Sequence, residues 1–275
     1  MPELPEVETV RQTLRRNILG KTIAGINVLY ERMIVGTDKD TFIATLTGKT
    51  LIEIGRLGKY LYFEFSDGIY MISHLRMEGK YFIKPVSEEL VKHEHIIFKF
   101  TDGISLRYAD VRKFGTMELK KKDELFTTHP LLDLGMEANH LRVDYLENKI
   151  RGKHRDLKAF LLDQSIIAGI GNIYADEICY MANLHPRQDI YYLTMSDIEA
   201  IVKASEVVIN KAIEAGGTTI RSYTSSLGVT GLFQLQLNVH TKAGKECPRC
   251  KNTIIKTRVA GRGTYICENC QKIKS

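Results

Sequence analysis

A chain of 275 residues, 44% hydrophobic and 26% charged, is long enough for about two domains and excludes disordered and fibrous classes. No apolar run approaches the ~20 residues of a membrane span. The N-terminus MPELPEVETVRQTL lacks the apolar core of a signal peptide, so the chain is expected in the cytosol, with no membrane partner. Lys and Arg number 39 against 33 Asp and Glu, a net +6. Nine of the basic and two of the acidic residues fall in 241–275, a local +7 on a body of −1. A basic tail on a near-neutral body is either a solvated tail or the footprint of a polyanionic partner.

In chain order, residues 5–19 are predicted helical, with Leu4, Val7, Val10, Leu14 and Ile18 on one stripe. Pro5 suits the first turn, and Glu6 and Glu8 suit its positive dipole end. Residues 21–120 change period. Leu51–Ile54, Tyr60–Phe65 and Ile96–Phe100 alternate as strands, with Asp67-Gly68 and Asp102-Gly103 as type I′ turns. The expected fold is α+β. It comprises an N-terminal antiparallel β-sandwich with a helix (1–125), a linker (126–150) and a helical domain (151–240). Residues 216–233, rich in Gly, Ser and Thr, form a loop in the helical domain. A small module (241–275) closes the chain. In the helical domain, Leu157–Leu162 and Ile173–Met181 flank the glycine turn Gly169-Ile170-Gly171. A longer helix is predicted to open at Ser196, with Glu199 completing a capping box.

Four cysteines read Cys247-Pro-Arg-Cys250 and Cys267-Glu-Asn-Cys270. Two thiolate pairs on two tight turns match one tetrahedral zinc site, and a disulfide reading needs an oxidising compartment. Cys179 lies in a helical pattern and reads as core. Other candidates are two-sided. If Met1 is removed, Pro2 presents a secondary amine. An ordinary α-amino group has a pKa of about 7.7–8.0, leaving part of it neutral and nucleophilic. Glu3 beside it can carry a proton. The same residues also suit a plain helix start. Lys59, after Gly58, is a phosphate-directed cation or an outward strand lysine. Met77 within His74–Gly79 and Phe114 within Asp110–Gly115 are wedges between bases or inward packing residues. Asn172 opens a helix whose backbone can bind phosphate. Arg262 sits between glycines on a predicted hairpin, Ala260–Thr264, and reads as either a phosphate grip or a surface arginine.

Taken together, Pro2-Glu3-Leu4-Pro5-Glu6-Val7-Glu8-Thr9, Ser73–Gly79, Asp110–Gly115, Gly169–Tyr174 and Val259–Thr264 resemble formamidopyrimidine-DNA glycosylases, from residue 2 to residue 270. The resemblance implies a bifunctional repair enzyme acting on damaged double-stranded DNA as a monomer. Such an enzyme excises 8-oxoguanine and formamidopyrimidines and nicks the abasic strand by β,δ-elimination. It implies Pro2 as the Schiff-base nucleophile, Glu3 as acid/base, Lys59 in elimination and Arg262 in phosphate grip and the second elimination. Met77, Arg112 and Phe114 fill the space of the flipped base. Asn172, Lys158 and His93 are implied DNA contacts, loop 216–233 a lid, and the helices a helix–two turns–helix motif. Cys247, Cys250, Cys267 and Cys270 hold one structural zinc. The family's Val-Tyr-Gly before the finger is here Val239-His240-Thr241. The alternatives are the sister class acting on oxidised pyrimidines, endonuclease VIII type, and a non-catalytic zinc-dependent DNA-binding protein.

Overall fold

The computed structural model describes residues 1–218 and 232–274. They divide into two compact units, Met1–Leu132 with Gly216–Leu232, and Asp133–Ala215 with Phe233–Ser275. Unit 1 opens with α1 (Leu4–Ile18), whose stripe of Leu4, Val7, Val10, Leu14 and Ile18 is fully buried. There follow β1 (Ile23–Val28), β2 (Ile34–Val35), α2 (Lys39–Leu46), β3 (Leu51–Leu57), β4 (Tyr60–Phe65) and β5 (Ile69–His74). β6 (Lys80–Pro85), β7 (Glu94–Phe100), β8 (Ile104–Ala109) and β9 (Thr116–Lys121) complete it. One sheet has the order β1-β7-β8-β6 and the other β2-β9-β5-β4-β3. All pairings are antiparallel except β2 with β9. The α+β sandwich with its N-terminal helix is therefore present, with α2 in addition. α2 reads weakly in the sequence because only Phe42 and Leu46 of its eight residues are buried.

Of the two expected type I′ turns, Asp67-Gly68 has both φ angles positive, 62° and 69°. Asp102-Gly103 does not: only Gly103 is left-handed, and the Asp102 carboxylate instead accepts from Ile104 N.

Unit 2 contains β10 (Met136–Glu137), α3 (Val143–Ile150), α4 (Leu157–Leu161), β11 (Ile167–Ala168), α5 (Asn172–Met181) and α6 (Met195–Glu214). It ends in the hairpin β12 (Ile255–Val259) and β13 (Arg262–Ile266). The segment 126–150 is thus not a plain linker. Its second half holds β10, paired with β11, and α3, whose Leu146 and Ile150 are buried. The mixed polar composition hid a short amphipathic helix. α6 is capped two residues earlier than Ser196: Thr194 accepts from Asp197 N, and Asp197 accepts from Thr194 N. Cys179 is core, as expected. Among the described residues no helix is long and apolar enough to cross a membrane.

Two connections that cross from one sheet to the other, β5 to β6 and β8 to β9, meet on one buried tyrosine. A Cβ on Gly79 would overlap the Tyr108 hydroxyl and lie 2.6 Å from the Leu75 carbonyl oxygen, and one on Gly115 would overlap the same hydroxyl. Tyr108 is 1% exposed and packs edge-on against Tyr81 at 5.1 Å, so its ring has little room to yield. Overpacking of this kind costs about 1–3 kcal/mol. Gly79→Ala is expected to lower unfolding free energy by about that amount, measured by urea denaturation.

Candidate active site and nucleic-acid interface

The N-terminal segment is held by buried carboxylates. Pro2 is buried and Glu3 is 2% exposed. Glu3 is the N-cap of α1, and Glu6 accepts from its backbone N at 2.8 Å, the reciprocal half of a capping box. The other Glu6 oxygen accepts from Thr218 N (2.7 Å) and Thr218 Oγ1 (3.0 Å). Burial pushes the Glu8 carboxyl up, but hydrogen bonds from Arg11, Gln12 and Arg56 outweigh it and bring it to about 2. Arg56 also donates to Gly58 O at 3.0 Å. α1 is thereby tied to the turn that presents Lys59, which is buried and not outward-facing. On β5, paired with Tyr60, His74 is held neutral, at about 3, first by burial and then by the positive charges of Arg76 and Lys59. Its Nδ1 accepts from Arg76 N at 2.9 Å, so the ring proton resides on Nε2. Burial is the larger cause of the lowered pKa, and the two nearby cations add to it.

Met77 and Phe114 are 39% and 51% exposed. Each directly follows a left-handed non-glycine residue, Arg76 at φ 52° and Lys113 at φ 58°. Such strain concentrates at functional sites. Asp110, 1% exposed, fixes the second turn: one oxygen accepts from Arg112 N, the other from Phe114 N and Gly115 N, at 2.8–2.9 Å. The Arg112 guanidinium lies over the Phe114 ring at 4.8 Å. Met1, Arg76, Met77, Lys113 and Phe114 line one cavity of about 510 Å³. His93, left-handed at φ 73°, accepts through its carbonyl from Asp110 N. The segment before it is organised by Arg107, which is 1% exposed. Arg107 pairs with Glu94 at 3.0 Å and donates to the carbonyls of Pro85, Glu88 and Glu89. The structure thus gathers Arg112, Phe114 and His93 around Asp110 and places Met77 in one cavity with Phe114.

In unit 2 Asn172 is the first residue of α5, and its Nδ2 donates to Gly263 O at 3.0 Å. Arg262 is exposed at the start of β13, after the left-handed pair Ala260-Gly261. Lys158 differs from expectation. It is fully buried, and its ammonium donates to Asp176 Oδ1 (2.6 Å), Thr264 Oγ1 (2.8 Å) and Gly263 O (3.2 Å). An ammonium out of water needs an anion, and Asp176 rather than a DNA phosphate supplies it here. The expected lid 216–233 lies mostly outside the described residues.

The four predicted cysteine sulfurs lie within 4.8 Å of one another. A tetrahedron with Zn–S of about 2.3 Å has edges of about 3.8 Å. The Cys247–Cys270 and Cys250–Cys267 separations are 3.8 and 3.4 Å, and the Tyr180 hydroxyl sits 3.2 Å from Cys247 Sγ. The donor set fits zinc, with every ligand position taken by protein. Just before it, His240 is buried with Nδ1 at 2.7 Å from Asp176 Oδ2. Thr241, where the family has glycine, is left-handed at φ 64°. Sequence reasoning missed Glu6, Glu8, Asp110, Asp176 and His240 as organisers. Only the Glu3/Glu6 spacing of a capping box could have signalled one of them.

Residues 1–117 match the formamidopyrimidine-DNA glycosylase N-terminal domain, and residues 134–224 match the formamidopyrimidine-DNA glycosylase H2TH domain. Residues 244–273 match a zinc finger found in FPG and IleRS. The chain is 48% identical to a formamidopyrimidine-DNA glycosylase of Exiguobacterium sibiricum, covering 99% of each. It is 46% identical to one of Ligilactobacillus salivarius, covering all of both. Its structure is similar to wild-type Lactococcus lactis Fpg in complex with N7-benzyl-Fapy-dG DNA. That match has a TM-score of 0.93 and 42% identity, over 98% of this chain and 100% of that one. It is equally similar, at 0.93 and 42%, to the same organism's protein with abasic-site DNA, over 98% and 99%.

Two outcomes follow from the geometry. A histidine titrating at 6.5 in the unfolded chain and at about 3 in the fold leaves the unfolded state holding more protons between these values. Stability is therefore lost as pH falls from 6.5 towards 3. His74→Asn keeps an acceptor for Arg76 N and should flatten the stability slope between pH 6.5 and 4.5 by about 1 kcal/mol per pH unit, read from urea midpoints. Glu8 contributes its own loss only below 4.5. A left-handed β-branched residue costs about 1–2 kcal/mol and glycine's extra freedom about 0.5–1. Thr241→Gly should therefore stabilise unit 2 by about 0.5–1 kcal/mol, visible as a raised Tm.

Proposed function

The chain belongs to the formamidopyrimidine-DNA glycosylase family, and from that premise we propose how its own residues perform the reaction. It is a bifunctional repair enzyme. It removes oxidised purines from damaged duplex DNA and cleaves the abasic strand, and one zinc held by four cysteines is structural. We place the reaction in the bacterial cytosol.

The observation that carries the reading is that Met1, bonded to the Pro2 nitrogen, lines the same cavity as Met77, Arg76, Lys113 and Phe114. Removal of Met1 frees a secondary amine at that cavity. Its lone pair attacks C1′ of the damaged nucleotide, and the base departs with the C1′–N bond pair. Glu3, buried beside it, supplies the proton to the leaving base and sugar oxygen. The attacking nitrogen then gives up its proton, the C1′–O4′ bond breaks with its electron pair passing to the protonated oxygen, and the nitrogen lone pair closes an iminium, which needs no metal to act as an electron sink. It acidifies the C2′ proton, whose loss expels the 3′ phosphate, and a second elimination expels the 5′ phosphate. Lys59, set by Glu8 and Arg56, holds phosphate and moves protons during elimination. Arg262, exposed on the finger hairpin, grips phosphate and serves the second elimination. Met77, Arg112 and Phe114 fill the space of the extruded base, with His93 as a further DNA contact. Zinc, when bound, contributes the finger's folding energy.

Borohydride trapping on 8-oxoguanine and thymine-glycol duplexes tests this. The wild type should trap on both the lesion strand and an abasic strand, with preference for 8-oxoguanine. Preference for thymine glycol would move the chain to the pyrimidine-type reading, and retention of Met1 in the active protein would sink the amine. Pro2→Gly should lose most trapping and keep the slope of log affinity against log salt. Arg262→Ala should lower that slope by about 0.9.

A further inference from the structure

Two adjacent acidic residues of α5 are buried without touching the zinc ligands or the catalytic segment. Asp176 is fully buried and one turn after Asn172, on the same helix face. Its Oδ1 accepts from Lys158, and its Oδ2 accepts from His240 Nδ1 at 2.7 Å and from Tyr265 N at 3.3 Å. Glu177, 1% exposed, accepts from the backbone of Asn238, Val239 and His240, all at 2.9 Å. The Lys158 ammonium reaches on to Gly263 O and Thr264 Oγ1, and Thr264 Oγ1 donates to Arg262 O at 3.1 Å. Asn172 Nδ2 meets the same Gly263 carbonyl. Apart from the Lys158–Asp176 pair itself, these bonds run to Arg262 and the residues after it or to the segment that enters the finger.

We infer that Asp176 and His240 are positioning residues for Arg262: with Lys158 they lock the finger hairpin to α5, so that Arg262 and the helix start at Asn172 meet the phosphate backbone in one fixed geometry. The inference rests on the phosphate-grip reading of Arg262 given above. Burial alone does not explain the network, because a buried ion pair is commonly replaced by apolar side chains without loss of stability. What apolar packing cannot supply is direction. Hydrogen bonds to Gly263, Thr264 and Tyr265 fix the register of β13 against α5, whereas the neighbouring apolar contacts of Tyr265 and His240, with ring centroids at 4.9 Å, tolerate sliding. Asp176, with Lys158 on one oxygen and His240 on the other, needs both donors to hold the hairpin from two sides.

Two substitutions at His240 separate donor from ring. His240→Phe keeps a ring against Tyr265 and loses the donor to Asp176. His240→Asn keeps a donor at the Nδ1 position and loses the ring. A third variant, Lys158→Met/Asp176→Leu, replaces the ion pair by apolar volume. Each is assayed for zinc per chain, melting temperature, affinity for a duplex carrying a tetrahydrofuran abasic analogue, and the ratio of δ- to β-elimination product on an abasic duplex. His240→Phe and the double variant should keep one zinc and a wild-type melting temperature. Both should bind about tenfold more weakly and give a smaller share of δ product, since a displacement of the order of 1 Å suffices for such losses. His240→Asn should restore both readouts to near wild type. Wild-type affinity and product ratio in His240→Phe and the double variant, or equal impairment of His240→Asn and His240→Phe, would overturn the proposal. Loss of zinc or of the unfolding transition in both would assign the network to finger folding, and that too would overturn it. Failure of the wild type itself to trap with borohydride would instead sink the functional reading, whatever the variants do.

Discussion

A charge removed from water costs several kcal/mol unless a partner of opposite sign comes with it. Three segments carrying candidate site residues are anchored by that constraint. Glu8 with Arg56 anchors the Lys59 turn, Glu94 with Arg107 anchors the segment ending at His93, and Asp176 with Lys158 anchors the hairpin of Arg262. In each pair the cation also donates to backbone carbonyls or a hydroxyl of the functional segment. The pair cannot relax without carrying the segment with it. Surface ion pairs such as Lys203–Glu206, with both side chains exposed, carry no comparable constraint.

The helix α1 serves core and site together. Its apolar stripe fills the sandwich, while its first turn brings Pro2, Glu3, Glu6 and Glu8 out of solvent. Any reaction at Pro2 therefore takes place on an element whose position is set by the main hydrophobic core rather than by a loop. The wedge residues Met77 and Phe114 gain rigidity differently. Their inter-sheet connections converge on Tyr108 through Gly79 and Gly115, and Asp110 stitches the second turn from within. Rigid support beneath exposed apolar tips is what prying apart a stacked duplex requires.

Lys158 shows how a family likeness and a buried environment can disagree. The likeness assigns it to DNA, and the fold places it at zero exposure with all three ammonium donors engaged. Its ammonium instead meets Gly263 and Thr264, beside Arg262. The His240 departure from the family pattern also becomes intelligible. A histidine keeps an aromatic ring against Tyr265 while adding a donor to Asp176. The Thr241 departure brings only a left-handed backbone that glycine would adopt without strain.

The sequence by itself determined the sandwich with its opening helix, the helical region around the glycine turn, and the four-cysteine site. These are written in local signals: period 3.6, period 2, and ligand spacing on two tight turns. It also singled out Pro2, Glu3, Met77, Arg112, Phe114 and Arg262 as candidates, because each lies in a short contiguous motif. Short apolar patterns such as α2 and α3, and the cap at Thr194 rather than Ser196, were decided by packing that a local window does not contain. Only the tertiary structure showed that Glu6 reaches Thr218, 212 residues away, that Lys59 is inside, and that Asp176 gathers Lys158, His240 and Tyr265. The physical reason is the same in each case. A charged side chain reads as surface in a linear pattern, and burial becomes favourable only when folding delivers its partners from distant positions to hydrogen-bonding distance.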